Sequence, residues 1–215
     1  MSEDFTYLEN LISNRKVVRS YKKIKFDPEK LKNISKFSVK IPTAGFSRGI
    51  EILQVTNKQN IKNIADHFNE LEYIKKGKPK WISNSICLFF ILLNENAYHQ
   101  RYESPDKIKS VSSKDWDIPY WYVDAGAAMM NCMLLIEEQE LKSGFMGLHN
   151  TDRDGIHKML NIPNTYKIIG MITAGVEDNI EIDKKSKTKI KKKLVHYEQF
   201  NNCLLYTSPS PRDRG

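Results

Sequence analysis

The sequence is poor in the features that would place it in several common classes of protein. Its 215 residues contain 3 cysteines, Cys87, Cys132 and Cys203, which lie far apart and form no C-x-x-C pair. A disulfide framework and a structural zinc site are therefore disfavoured. The longest apolar run, Ile86 to Leu93, has the length of a strand and is far shorter than the roughly 18 residues that a membrane span needs. We therefore expect no membrane partner.

Targeting and catalytic motifs are also scarce. Glu3 and Asp4 stand where a secretory signal would carry positive charge, so a cytoplasmic location is expected. The chain has no G-x-G-x-x-G, G-x-x-x-x-G-K-[ST] or G-x-S-x-G motif, which disfavours Rossmann binding, a P-loop and a hydrolase elbow. Its 5 histidines have no metal-ligand spacing, and Asp152-x-Asp154-Gly155 lacks the other acidic ligands of a calcium loop. We therefore expect no metal.

Positive charge is concentrated in one short segment. The formal net charge is +8, and the segment from Lys184 to Lys193, KKSKTKIKKK, holds seven lysines. The rest of the chain is thus nearly neutral, which disfavours a nucleic-acid partner. The segment could be a solvated loop, a polyanion-binding patch or a clamp for the phosphate of a cofactor, and the sequence alone leaves these alternatives open.

Apolar spacing predicts alternating helices and strands. Apolar runs predict strands at Ile50–Thr56, Ile86–Leu93 and Tyr166–Thr173, of which the second is central because it is apolar on both faces. Helical spacing predicts an N-terminal helix, a helix over 61–71 and a helix over Val123–Leu141. The stretch Asn94–Tyr122 is aromatic and irregular, and it is either a lid, a binding element or a region containing helices.

These elements indicate one α/β or α+β layered domain over residues 1–202. The composition of residues 203–215 changes abruptly to Ser, Pro and Arg, in the segment CLLYTSPSPRDRG. Such a segment cannot continue a core element. We predict that it is a non-native or disordered tail and leave it out of the fold.

Three separated segments carry residues suited to an anionic, ring-shaped ligand. Arg15 and Arg19 are four residues apart, and a guanidinium can contact a phosphate or a carbonyl edge with two hydrogen bonds. Pro42–Gly49 combines small residues with hydroxyls and Arg48, and Gly144–Asp152 is a glycine-bearing loop that opens a helix. Taken singly, these segments could equally be surface charge, a helix-to-strand turn and a helix–helix loop.

Taken together and in order, the segments resemble the FMN-dependent nitroreductase family from about Ser13 to Phe200. The matching motifs are Arg15–Tyr21, Pro42–Gly49, Asp124–Met130, Gly144–Pro163, Lys187-Thr188-Lys189 and Leu194–Tyr197. Two further blocks, Arg101-Tyr102 and Pro119–Gly126, are similar to those of a largely uncharacterised subgroup of the family.

The resemblance implies a fold and a reaction. The fold would be α+β, a nitroreductase-type mixed β-sheet flanked by helices, in an intertwined homodimer. The activity would be that of an FMN-dependent oxidoreductase in which NAD(P)H reduces the flavin and a nitroaromatic, quinone or other conjugated small molecule then takes the electrons, in ping-pong order. An alternative is a flavin-binding protein that modifies or fragments flavin, or oxidises a dedicated metabolite.

The resemblance also implies which residues hold FMN. Arg15, Lys187 and Lys189 would bind the phosphate, and Arg19 would reach the pyrimidine edge. The segment Pro42–Phe46 would come from the partner subunit, and Leu148–Asn150 would lie over the ring, where His149 could also donate a proton. The full expected cofactor-binding set is Arg15, Lys16, Val17, Arg19, Pro42, Thr43, Ala44, Gly45, Phe46, Leu148, His149, Asn150, Lys187 and Lys189.

The substrate side departs from the family pattern. Val17, Phe46 and Arg48 stand where the family more often has serine, asparagine and glutamine. Arg48 adds positive charge beside the second substrate, which suggests an anionic acceptor. The aromatic stretch would set the choice of acceptor, although some of its rings could simply be dimer core. The expected substrate-contacting residues are Arg48, Tyr98, Arg101, Tyr102, Trp116 and Trp121.

Overall fold

A four-stranded antiparallel sheet organises the fold. The computed structural model describes residues 5–107, 110–149, 151–178 and 195–200. Strand β1 spans Ile50–Val55, β2 spans Cys87–Leu93, β3 spans Lys142–Met146 and β4 spans Lys167–Gly175. Their order in the sheet is β1-β2-β4-β3, and every neighbouring pair is antiparallel. β2 and β4 therefore lie at the centre, and β1 and β3 are opposite edges.

Seven α-helices accompany the sheet in the described residues. They are α1 (Tyr7–Asn14), α2 (Lys32–Ser38), α3 (Lys58–His67), α4 (Glu70–Lys75), α5 (Glu95–Tyr102), α6 (Tyr120–Glu138) and α7 (Arg153–Met159). Side-chain caps explain several of their starts: Thr6 and Glu9 form a capping box on α1, Asn57 accepts two backbone N–H groups of α3, and Asp152 accepts one of α7.

Two hydrophobic cores lie on the two faces of the sheet. Every residue of β2 is buried, and its side chains alternate between the cores because successive strand residues point to opposite faces. Phe89 and Ile91 belong to the core that includes residues of α2, α5 and α6. Leu88 and Phe90 belong to the core that includes residues of α3 and α7, together with Trp81. The result is a layered domain with helices on both faces of the sheet.

The segment after α1 extends the sheet beyond β3. Val17 forms an isolated parallel bridge with Ser143, and the Val18 N–H donates to the Ser143 carbonyl at 2.9 Å. Tyr21 then forms an antiparallel bridge with Glu177, just after β4. The predicted α+β fold is therefore confirmed. In the described residues, the parallel part of the sheet is limited to the bridge at Val17.

The sequence predicted three of the four strands and missed β3. Residues Gly144–Met146 were expected in a loop, but they pair with Thr173–Met171 of β4. The stretch Asn94–Tyr122 contains α5, and α6 begins at Tyr120 rather than Val123. In the described part of the chain, no helix is long and apolar enough to cross a membrane.

The chain divides into two units, Met1–Ile180 and Glu181–Gly215. The sheet and all the helices named above belong to the first unit. In the second unit, the described residues 195–200 bring the rings of His196 and Phe200 to a centroid distance of 4.4 Å. The expected boundary at residues 202 and 203 lies outside the described residues, and so does the whole lysine-rich segment, Lys184 to Lys193.

Candidate functional site

The first and third sequence segments meet at the β3 edge. The backbone of Val17–Arg19 runs along Ser143–Phe145, held by the Val18–Ser143 hydrogen bond. At the end of this pairing, the Arg19 guanidinium donates to the Phe145 carbonyl at 3.4 Å. Gly144 permits the close approach, because a Cβ built on it would lie 2.5 Å from the Val18 carbonyl oxygen. A cationic segment is thus fixed beside the loop that follows β3.

Arg19 also lies over an indole ring. Its Cζ atom is 5.5 Å from the centroid of Trp81, a distance suited to a cation–π contact. Trp81 is buried, and its backbone belongs to a turn whose N–H groups converge on one carboxylate. Glu70, itself buried, accepts from the N–H groups of Trp81 at 2.9 Å, Ile82 at 2.6 Å and Ser83 at 3.2 Å. Sequence reasoning missed both Trp81 and Glu70.

Arg15 and Lys16 differ in the hydrogen-bond and ion-pair partners of their side chains. The Nε atom of Arg15 is buried and has no hydrogen-bond partner among the described residues. Lys16 forms an ion pair with Glu177, at 2.7 Å between Nζ and Oε1. This pair is partly exposed, so it contributes little to stability but does occupy the ammonium group. Arg15, the predicted phosphate ligand of the two, thus has a buried donor that no described residue uses.

The turn after β3 carries the next predicted residues. Leu148 is buried, and its carbonyl accepts from the Arg153 Nε atom at 3.3 Å. His149 is exposed, so its side chain faces solvent in the single chain. Arg153 therefore fixes the turn, a role that its sequence position alone did not reveal. Asn150, Lys187 and Lys189 lie outside the described residues, and their expected contacts stay predictions.

The second segment, Pro42–Gly49, forms a tight loop before β1. Its centre, Ala44–Phe46, is a short 3-10 turn. The Ala44 N–H donates to the Asp124 Oδ2 atom at 2.9 Å, and the same oxygen accepts the Tyr98 hydroxyl at 2.7 Å. The loop is therefore anchored to α5 and α6. In the sequence, Asp124 stands out only as the first residue of the Asp124–Met130 motif, yet in the structure it is buried and joins the loop to α5.

Most of the predicted substrate residues pack against one another beneath this loop. Tyr98 is fully buried, and burial together with the neighbouring Asp124 carboxylate raises its pKa well above the ordinary value. Arg101 donates to the Gly45 carbonyl and forms a two-pronged ion pair with Asp106. The rings form a contact chain in which Trp116 touches Tyr102, at 4.7 Å between ring centroids, and stacks on Trp121 at 5.6 Å.

Among the predicted substrate residues, Arg48 differs from the others in its solvent exposure. Tyr98 and Trp121 are buried, while Arg101, Tyr102 and Trp116 are half-buried supports of the loop. Arg48 is exposed at the surface of the loop. Within one chain, Arg48 is thus the one predicted substrate residue whose side chain is exposed to solvent. The other five stay predicted substrate residues whose visible role is to position the loop.

The two groups of site residues lie on opposite sides of the sheet. Arg19, Trp81 and Leu148 border the core that contains Phe90, whereas Ala44 packs on the core that contains Phe89. The groups also flank opposite edges, which are three strand spacings or roughly 14 Å apart. The described part of one chain therefore does not assemble the predicted site.

A separate cleft of about 580 Å³ opens beside α7. Its walls include Tyr122, Arg153, His157 and Lys167. Lys167 is paired with Glu95, and the Tyr166 hydroxyl with Glu51. The lining contains none of the residues that the sequence predicted for cofactor or substrate.

The chain belongs to the nitroreductase family. The sequence model of that family matches residues 12–176, which include all four strands. A search of curated proteins finds no significant match.

Solved structures share the fold at low sequence identity. An FMN-dependent nitroreductase from Clostridium difficile is 19% identical, with a TM-score of 0.62, covering 88% of this chain and 98% of its own. Nitroreductase A from Vibrio parahaemolyticus is 17% identical, with a TM-score of 0.64 and coverages of 94% and 79%. A candidate NADH dehydrogenase/NAD(P)H nitroreductase from Bacteroides thetaiotaomicron is 18% identical, with a TM-score of 0.63 and coverages of 91% and 99%.

Proposed function

We propose that the chain is an FMN-dependent oxidoreductase that uses NAD(P)H to reduce a nitroaromatic, a quinone or another conjugated small molecule. The observation that carries this proposal is the alignment of the Arg15–Arg19 segment along β3, with the Arg19 guanidinium at the Phe145 carbonyl. Family membership supports an oxidoreductase. The names of similar structures, an FMN-dependent nitroreductase and a candidate NAD(P)H nitroreductase, support the cofactor and the electron donor.

The donors at the β3 edge fit the polar groups of FMN. The buried and unpartnered Nε atom of Arg15 suits a phosphate oxygen, because a buried donor without a partner is costly and a charged pair is a strong hydrogen bond. Arg19 would face the pyrimidine edge. Lys187 and Lys189 would complete the phosphate contacts, as the resemblance implies. A contact from Lys16 would require it to exchange its ion pair with Glu177.

The chemistry that bound FMN supplies is two-electron transfer between a nicotinamide and an organic acceptor in ping-pong order. The contribution of the chain is orientation and charge. Arg19, held by Trp81 and the Phe145 carbonyl, would favour negative charge at the edge of the ring that it contacts. Arg153 fixes the turn at Leu148, so that backbone N–H groups there are presented in one geometry. His149, exposed on the same turn, could deliver a proton to the acceptor.

We propose that a second copy of the chain completes the site. The Pro42–Phe46 loop lies across the sheet from Arg19, which supports a site whose two halves come from different copies. An apolar stripe on the outside of α6 offers a surface for this partner, with Val123 and Met130 exposed at helical spacing. Beside it lies a groove of about 340 Å³ lined mainly by Tyr7, Leu8, Leu11, Phe37, Leu134 and Leu135. The expected assembly is a homodimer.

The first prediction concerns flavin retention. The purified protein should be yellow and release FMN on denaturation. Arg15→Ala should lower FMN affinity about tenfold or more, because it removes a charged hydrogen bond to the phosphate. Arg48→Ala should leave FMN affinity within about twofold, because Arg48 lies on the loop that faces the acceptor. Fluorescence titration of the stripped protein with FMN measures both values.

The electron donor is checked on the same material. Without oxygen, NADH or NADPH should bleach the bound flavin, and a nitroaromatic or quinone should restore its colour. A flavin that neither nucleotide bleaches would favour the alternative, a protein that modifies flavin or oxidises a dedicated metabolite. A colourless protein that cannot be reconstituted with FMN would refute the flavin assignment. Equal flavin loss in the Arg15→Ala and Arg48→Ala variants would refute the division of roles between these two residues.

A second prediction tests the proposed assembly at Gly126 on α6. A Cβ built on Gly126 meets no atom of its own chain within 4 Å. In an isolated helix, Gly126→Ala would therefore stabilise the chain by about 0.5–1 kcal/mol. In a dimer that packs on this stripe, we expect the same change to weaken association at least tenfold, measured by sedimentation equilibrium. If Gly126→Ala left the association constant unchanged and made the chain more stable, the interface would lie elsewhere.

A further inference from the structure

The loop before β1 adopts a backbone that its residues do not favour. Phe46 and Arg48 have φ values of 63° and 55°, in the left-handed region, and Gly45 between Ala44 and Phe46 has φ of 62°. Glycine adopts this region freely, but a residue with a side chain costs of order 1 kcal/mol or more there. Two such residues within three positions indicate that the surrounding contacts impose the conformation.

Those contacts come from three directions. Asp124 binds the Ala44 N–H at 2.9 Å, and Thr43 Oγ1 accepts the Arg48 N–H at 3.1 Å. From below, the Arg101 Nε atom donates to the Gly45 carbonyl at 2.7 Å. Each of these partners forms a hydrogen bond with the backbone of the loop, and together they hold the strained conformation. The side chains of Phe46 and Arg48 are therefore presented in a preset geometry.

Aromatic rings close the floor of the loop. A Cβ on Gly45 would lie 2.6 Å from the Tyr102 ring, and one on Gly49 would lie 2.4 Å from the Tyr98 ring. Tyr98 is in turn fixed by Asp124. The loop can thus sink no further towards the chain, and its two large side chains must point outward. This explains why Phe46 is 68% exposed although it is apolar.

The outward face combines a ring with an uncompensated cation. The Arg48 Cζ atom lies 4.1 Å from the centroid of the Phe46 ring, which holds the guanidinium against the ring. Nearby Arg101 is neutralised by Asp106 at 2.7 Å. Among the described residues, no carboxylate forms an ion pair with Arg48. Phe46 and Arg48 therefore form what we call the Phe46–Arg48 platform, an exposed aromatic face with one free positive charge.

We propose that the Phe46–Arg48 platform selects planar aromatic acceptors that carry a carboxylate or a similar anionic group. The ring would pack against the apolar face of the acceptor, and the guanidinium would bind its anionic substituent. This inference rests on the proposed oxidoreductase function, in which this loop faces the acceptor. It identifies the class of substrate and assigns the discrimination to Arg48.

The test compares two acceptors that differ in charge and little in shape, 4-nitrobenzoate and 4-nitrobenzamide. The measured quantity is the ratio of their kcat/KM values in wild type and in variants, because the intrinsic reactivity of the two compounds cancels in that comparison. Arg48→Gln should lower the benzoate-to-benzamide ratio about tenfold, mostly through the benzoate. Raising the salt concentration should lower the ratio of the wild type and leave that of Arg48→Gln unchanged.

A matched control is available elsewhere on the surface. Lys36 lies over Phe37, at 5.7 Å from the ring centroid, so Lys36→Gln removes one charge from a second exposed cation–ring pair. Lys36→Gln should keep the wild-type ratio. If it lowers the ratio as much as Arg48→Gln does, the effect is one of overall charge and the proposal is wrong. An unchanged ratio in Arg48→Gln also overturns it.

Binding of a non-reducible probe separates this inference from the proposed function. Calorimetry should show that benzoate binds wild type more tightly than benzamide does, and that Arg48→Gln removes the difference. The comparison uses the purified flavin-loaded protein and needs no turnover. If NAD(P)H fails to bleach the flavin but this difference is present, the proposed reaction fails and the platform stands. If the flavin is bleached but benzoate and benzamide bind alike, the reaction stands and the platform fails.

Discussion

Replacing Glu70 with alanine should lower the free energy of unfolding by about 3–5 kcal/mol, because it leaves three backbone N–H groups of one turn without an acceptor. The Glu70 carboxylate accepts from Trp81, Ile82 and Ser83, and the first two of these bonds are buried. Urea unfolding followed by tryptophan fluorescence would measure the change as a lower midpoint at an unchanged slope.

The same helix supplies the control. Glu72, two positions further along α4, is exposed and pairs with Lys75 at 2.7 Å. Surface pairs of this kind contribute little, so Glu72→Ala should change stability by less than about 0.5 kcal/mol. A Glu70→Ala loss as small as that of Glu72→Ala would refute the structural role of the carboxylate. Since the turn carries Trp81, the Glu70 variant should also bind FMN more weakly than its stability alone explains, through the contact with Arg19.

The second large effect is expected at Gly144, where the N-terminal segment meets β3. A Cβ at this position would lie 2.5 Å from the Val18 carbonyl oxygen and 2.8 Å from the Trp81 ring. Backbone and a packed indole cannot move aside cheaply, so Gly144→Ala should cost about 2–3 kcal/mol. It should also displace the Arg15–Arg19 segment, and FMN affinity should fall at least tenfold. Thermal unfolding and fluorescence titration with FMN measure the two effects.

Gly147 is the comparison for this prediction, because it lies three residues further along the same segment. The nearest atom to a Cβ built there is in the His149 ring, at an ordinary contact distance of 3.4 Å. Gly147→Ala should therefore leave the unfolding temperature within about 2 °C of the wild type, equivalent to a change below roughly 1 kcal/mol. If Gly144→Ala proved as stable as Gly147→Ala, the close approach of Val18 to β3 would be disproved.

The strands that the sequence predicted are those that can be recognised from the composition of their own segment. β1 and β4 are largely apolar, and β2, Cys87–Leu93, is apolar throughout and buried at every residue. β3 is different, because the segment Lys142–Met146 contains a lysine, a serine and a glycine. Its extended form depends on pairing with β4 and on the neighbouring Val17–Arg19 segment. Such tertiary pairing leaves no periodic signal in the segment itself.

The aromatic stretch shows the same limit. α5, Glu95–Tyr102, is weakly amphipathic, since its one buried residue is Tyr98. Its position is fixed by the hydrogen bond from Tyr98 to Asp124, 26 residues away, and by rings from α6. The sequence showed many aromatic residues here but could not tell a substrate-lining surface from a packed support.

The residues of the candidate site that belong to motifs could be predicted from the sequence. The residues that fix those motif residues in position could not. Arg15 and Arg19 were chosen for their charge, and the structure fixes the segment between them along β3. Glu70, Trp81, Asp124 and Arg153 act through contacts with residues of other elements or loops. A lone glutamate at a helix start looks the same in sequence whether it faces water, as Glu72 does, or binds a distant turn, as Glu70 does.

The two halves of the proposed site, the β3 edge and the Pro42–Gly49 loop, lie on opposite faces of the sheet, and this has a genetic consequence. In the proposed homodimer, each site combines the β3 edge of one copy with the Pro42–Gly49 loop of the other. A chain damaged at Arg15 and a chain damaged at Arg48 would, when mixed, build one doubly defective site and one fully intact site. Two impaired alleles could therefore complement each other in one cell, because each mixed dimer would contain one intact site.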